Sequence, residues 1–182
     1  MIITISGRQG AGKTSVGKAL AKKLNYKFFS IGDLRGMIAK ERGLTIDELN
    51  KIGEKEFWVH KEADKKTIEI GKTSDNFIIE GWIAFHFIPN SKKIFLDVDG
   101  EVGARRIFVN QRCDEKKQEK LSALKEMLEK RLIKTDEQFK KYYGIDFLNK
   151  KNYDIIIDTT NLNIKETVNK ILEKLNENKR NL

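Results

Sequence analysis

The run Gly7-Arg8-Gln9-Gly10-Ala11-Gly12-Lys13-Thr14 sets glycines, a lysine and a hydroxyl at the spacing G-x-x-x-x-G-K-S/T. Each residue type has a chemical reason for its place. Gly7, Gly10 and Gly12, with the small Ala11 between the last two, let backbone N–H groups curl around the phosphates of a nucleoside triphosphate. Lys13 reaches the β- and γ-oxygens and the Thr14 hydroxyl ligates Mg²⁺, while Ser15 belongs to the helix start whose positive end faces the phosphates. A glycine turn with an incidental Lys-Thr arises by chance in a chain of this length on the order of one time in a hundred. The expected ligand is ATP with magnesium.

The elements that must hold such a loop are present on both sides of it. Ile2 to Ile5 is a β-branched run that reads as a buried strand, and Val16, Ala19, Leu20 and Leu24 have helical spacing that ends near Asn25. Tyr26 to Phe29, Phe77 to Gly81, Lys93 to Asp97 and Tyr153 to Asp158 read as four further strands. Separated by helical patterns, these runs predict a mostly parallel sheet covered on both faces, an α/β three-layer sandwich. Two or three helices fill Asp33 to Gly71, with breaks near Gly43 to Thr45 and at Gly53, and Thr45-Ile46-Asp47-Glu48 is a capping-box start. Leucines 121, 124, 128 and 132 within the Lys/Glu-rich stretch 114–141 predict a long amphipathic helix pair.

Composition bounds the function. The chain has 182 residues, 39% of them apolar, which suits one α/β domain. Its 36 Lys and Arg against 27 Asp and Glu leave a formal charge of +9, which suits a polyanionic partner. Lysine is spread over nearly every segment rather than gathered on one stripe, a pattern of solvated surface and compositional bias that counts against nucleic acid, although nucleic acid and nucleotides both stay open as partners. Arginine is confined to positions 8, 35, 42, 105, 106, 112, 131 and 180, and its planar fork is the group that grips phosphate in two places. Cys113 is the single cysteine, so an intrachain disulfide and a cysteine-based zinc cluster are excluded. The longest apolar stretch, Phe77 to Ile88, is interrupted by Glu80 and His86, so a soluble, cytoplasmic and monomeric chain is the expectation.

A second group of residues speaks to the phosphoryl acceptor. Ser30-Ile31-Gly32-Asp33-Leu34-Arg35 follows the second strand and opens a helix. Arg35 then faces the cleft and holds an acceptor phosphate, with Asp33 toward the metal; equally, the segment is a helix cap followed by a surface arginine. No N-K-x-D-type sequence for guanine recognition is present, which argues against a switch GTPase.

Taken in order, Gly7 to Thr14, Ser30 to Asp33, Ile79-Glu80-Gly81, Tyr143-Gly144-Ile145-Asp146 and Tyr153 to Thr159 resemble archaeal-type cytidylate kinases over nearly the whole chain. The resemblance implies a P-loop fold with a five-stranded parallel sheet in the order 2-3-1-4-5. It implies a nucleoside-monophosphate-binding insertion at about 33–71 and a lid near 112–140. On it, Lys13, Arg131 and Asp33 act in catalysis, and Arg35, Asp64, Glu80 and Gly81 face the acceptor, CMP or dCMP, as does the next position, which here is Trp82 and departs from the family. One of Arg105 and Arg106 approaches the ATP.

The chain departs from that family at three points. Trp82 stands where related kinases carry an arginine, His60 stands where they tend to have Asp, and the lid lacks a second arginine after Arg131. Trp58, His60 and Trp82 form either an altered acceptor pocket or core packing, with Trp58 read as core and Trp82 as pocket. Two other functions therefore stay open: a small-molecule or nucleoside kinase with an altered acceptor, and a nucleotide- or RNA-binding accessory protein.

Overall fold

The computed structural model describes residues 1–111 and 117–180. Arg112, Cys113 and the first residues of the expected lid lie outside the described residues. Five parallel strands form one sheet in the order β2-β3-β1-β4-β5: β1 (Ile3–Gly7), β2 (Lys27–Ser30), β3 (Phe77–Glu80), β4 (Lys92–Asp97) and β5 (Ile155–Asp158). This is the predicted order.

The sheet buries both faces because its strands are continuous apolar runs. Ile3, Ile5, Ile78, Ile94, Leu96, Ile155 and Ile157 meet α1 (Lys13–Leu24) and α8 (Ile164–Arg180) in one cluster. Phe77, Ile79 and Phe95, one position out of phase, point to the opposite face. There they meet α5 (Ala84–Phe87) and α7 (Leu121–Tyr143). The remaining helix after β4 is α6 (Gly100–Val109).

Between β2 and β3 the chain makes three helices: α2 (Ile31–Glu41), α3 (Ile46–Gly53) and α4 (Trp58–Thr73). They share a small core of their own, Ile38, Ala39, Leu49, Val59 and Ala63. The capping box at Thr45 is present in full: its Oγ1 accepts from the Glu48 N–H, and the Glu48 carboxylate accepts from the Thr45 N–H.

One expectation is corrected. The stretch read as a helix pair is a single 23-residue helix, α7. No glycine or proline interrupts residues 121–143. The i, i+4 pairs Glu126–Lys130 and Asp136–Lys140 support its outer face, and Leu124 and Phe139 are buried. Gly144, in the left-handed region at φ 67°, ends it.

Candidate active site

β1 is where the sheet changes direction of winding, since the chain passes from β1 to β2 on one side and returns through β4 on the other. Ligands of open α/β sheets bind beyond the strand ends at that switch point. The Gly7–Thr14 loop occupies it. Gly10 takes φ 76° and sits so close to α6 that an added Cβ would come within 2.4 Å of the Gly103 Cα, so neither the conformation nor the space admits a side chain. Gly12 caps α1 with φ 84° and no side-chain hydrogen bond, which leaves the first N–H groups of α1 for an anion.

A continuous cleft of about 1980 Å³ opens from this loop and is lined by Gly10 to Ser15, Arg35, Asp64, Glu80, Gly81, Trp82, Arg131 and Tyr143, among others. That volume is about twice the upper end of ordinary single-ligand pockets, so the cleft has room for two ligands side by side.

The cleft's floor is anchored by hydrogen bonds from separate elements. The Lys13 ammonium donates to the carbonyls of Gly7 (2.9 Å) and Arg8 (2.8 Å) and lies 5.1 Å from the ring centre of Trp82. Burial pulls Lys13 down to about 8; Glu80 opposes the shift and Arg131 adds to it. Glu80 is buried at the end of β3, where its Oε1 accepts from Ser30 Oγ (2.6 Å) and Thr14 Oγ1 (3.3 Å). Gly81, next in line, donates its N–H to Ile5 and leaves no room for a side chain against Ile31.

Arg35 lines the cleft and donates to Asn50 Oδ1 at 2.8 Å. Burial first, and the charge of Arg131 second, draw its guanidinium below the ordinary value. Arg131 of α7 is therefore within electrostatic reach of both Lys13 of α1 and Arg35 of α2. Like charges held together in a half-buried cleft raise the energy of the free protein, and a polyanion relieves it.

Other residues fall elsewhere. Asp33 is exposed in the first turn of α2 and outside the lining of the cleft, so the carboxylate beside Thr14 is Glu80. Arg8 pairs outward with Asp97 at 3.1 Å, and Arg105 pairs with Glu101 on an exposed face. Arg106 instead turns inward. It donates to Gly10 O, Thr159 Oγ1 and the carbonyls of Thr159, Thr160 and Leu162, which ties the phosphate loop to the segment before α8. Trp58 packs in the helical insertion beneath the Arg42 guanidinium. Trp82 meets Phe147 edge-on at 5.0 Å and presents its ring to Lys13, so it is both core and cleft wall. His60 is buried with Nε2 3.0 Å from the Gly53 carbonyl, a brace between α3 and α4 at the cleft's edge.

The bond of Ser30 to Glu80 and the partners of Asn50 and Arg106 had no signal in the sequence, because each contact crosses 15 or more positions. Tyr143 had a signal, its place in Tyr-Gly-Ile-Asp, but no visible partner; its hydroxyl donates to Asp64.

This fold and this loop define a P-loop phosphotransferase. The chain belongs to the cytidylate kinase-like family, which it matches over residues 2–161. It is 33% identical over 180 residues to a cytidylate kinase of Methanosphaera stadtmanae, with 99% of this chain and 100% of that protein covered. It is also 35% identical over 172 residues to an S-adenosylmethionine-dependent nucleotide dehydratase of Lacinutrix mariniflava. That alignment covers 94% of this chain but only 35% of the dehydratase, so the chain spans about a third of that relative's length. Among solved structures, a shikimate kinase of Bacteroides thetaiotaomicron superposes with a TM-score of 0.66 at 21% identity, covering 97% of this chain and 98% of that one, a likeness of fold. Among the described residues no helix is long and apolar enough to cross a membrane.

Proposed function

We propose that this chain transfers the γ-phosphoryl group of Mg·ATP to a nucleoside monophosphate, with CMP or dCMP the preferred acceptor. The observation that carries the reading is the convergence of Lys13, Arg35 and Arg131 on a cleft with room for two nucleotides. A donor triphosphate lies on the Gly7–Ser15 loop, and Arg35 holds the acceptor's phosphate. The relatives named cytidylate kinase support the choice of base.

An acceptor phosphate oxygen attacks the γ-phosphorus, the bond to the β–γ bridging oxygen breaks, and ADP leaves with that oxygen. Lys13 and the loop amides neutralise the donor side and Arg131 the transferring group. The three helices of 33–71 serve as the acceptor-binding insertion and the region 112–140 as the lid that keeps water from the γ-phosphate.

The oxygen donors of Thr14, Ser30 and Glu80 fit Mg²⁺, which keeps several waters and takes its remaining ligands from phosphate. When bound, the ion would neutralise charge on the triphosphate. Thr14 would hold it directly and Glu80 would orient its waters. Glu80→Gln keeps an acceptor for Ser30 but removes the charge. We expect kcat to fall about 10²-fold and the magnesium requirement to rise, as a magnesium titration of initial rates would show.

The test of the reading is a coupled ADP-release assay over CMP, dCMP, UMP, AMP and cytidine. We expect turnover with CMP or dCMP above the others and none with cytidine. Absence of turnover with every monophosphate overturns the proposal, and turnover with cytidine alone assigns a nucleoside kinase instead.

A further inference from the structure

Tyr143 is the last residue of α7, yet its hydroxyl donates to Asp64 Oδ2 on α4, 79 positions earlier. Both residues line the acceptor side of the cleft with Arg35. Resting on the acceptor reading above, we propose that Tyr143 is a positioning residue for base recognition. It fixes the Asp64 carboxylate so that the second oxygen accepts from the exocyclic amino group of cytosine and turns away the O4 of uracil.

The chemistry of the pair supports one orientation only. A carboxylate accepts and does not donate, so it matches the N4 amino group of cytosine and repels a carbonyl at the same place. Burial, with Asp64 itself adding to the effect, pushes the Tyr143 phenol far above its ordinary range, so the hydroxyl keeps its proton and stays the donor. The ring of Tyr143 is held independently of that bond. Phe57, His86, Phe87 and Phe139 all lie against it, with ring centres 5.6–6.1 Å away.

Burial raises Asp64 to about 6, while the Tyr143 hydroxyl and the Arg35 charge oppose that rise. The other titratable groups around the pair are His60 on α4, Tyr142 and Arg131 on α7, and His86 on α5, packed edge-on against Tyr143. The sign follows. Above about pH 6 Asp64 is an acceptor and cytosine is favoured; below it the carboxyl carries a proton that O4 of uracil can accept, and the preference shrinks.

The experiment is kcat/KM for CMP and for UMP at about pH 7.5 and about pH 5.5, on the wild type, Tyr143→Phe, Asp64→Asn and the double variant. We expect the CMP-to-UMP ratio of the wild type to fall on acidification. Tyr143→Phe should lower the ratio by about 10-fold at the higher pH. Asp64→Asn, whose amide turns to suit either base, should lower it at least as far and remove its pH dependence. Because Tyr143 acts through Asp64, the double variant should match Asp64→Asn.

A wild-type ratio that does not move with pH overturns the inference without any substitution. So does a Tyr143→Phe loss equal for CMP and UMP, the mark of a ribose or structural contact. In both cases CMP turnover leaves the kinase reading intact, whereas a wild type inactive on every monophosphate overturns both.

Discussion

Replacing Lys13 with alanine should lower the rate of phosphoryl transfer by at least about 10³-fold while leaving the fold intact. The ammonium is held by the carbonyls of Gly7 and Arg8, which leaves one of its three N–H donors for the triphosphate. Single-turnover transfer measured beside a thermal melt separates the two effects. A 10³-fold loss with an unchanged melting temperature is the expected result, and a loss that tracks unfolding would remove Lys13 from the chemistry.

The same residue carries a pH signature of opposite sign in binding and in stability. Its value of about 8 lies below the ordinary 10.5, so between those values the unfolded chain binds more protons than the folded one. The Lys13 contribution to stability therefore rises with pH across that window. A bound triphosphate favours the charged ammonium, so ATP affinity should be full below pH 8 and weaken as pH rises through it. Calorimetric titration of ATP at pH 7 and pH 9, with Lys13→Ala as reference, checks the sign.

Arg131→Ala is expected to lower kcat by about 10³-fold, with a much smaller change in KM for ATP. Arg131 is held on the long rigid helix α7, whose Leu128 carbonyl accepts from Gln9 in the phosphate loop at 3.4 Å. Arg131 is within electrostatic reach of both Lys13 and Arg35, which on the proposed reading sets it between donor and acceptor. A planar fork can bridge two phosphate oxygens where an ammonium cannot, so Arg131→Lys should recover only part of the rate. If kcat stays within threefold of wild type in Arg131→Ala, the transferring group is neutralised by other residues.

The neighbourhood of Trp82 explains how the chain accommodates that substitution. Its indole edge packs on Phe147 and its face takes the Lys13 charge, so the wall is filled although no phosphate ligand stands there. On the proposed reading the acceptor phosphate is held by Arg35, whose guanidinium donates to Asn50 Oδ1.

The strands, the first helix, the capping box and the phosphate loop were all legible in the sequence, because each depends on neighbours within a few positions. Apolar runs make strands, Thr45 and Glu48 satisfy each other across one turn, and glycines at 7, 10 and 12 bend the chain where it stands. Reading a helix pair into α7 failed on the same level, since no breaker lies inside it.

The donor loop, then, is a property the sequence determines by itself. The acceptor side is decided by tertiary structure. Asp33 was expected toward the metal and Glu80 toward the acceptor, and only the phase of α2 and the end of β3 expose the one and set the other against Thr14. Asp64 and Tyr143 meet because α4 and the end of α7 pack around shared aromatic rings. Contacts that close such long loops leave no local periodicity, so they become visible only once the chain is folded.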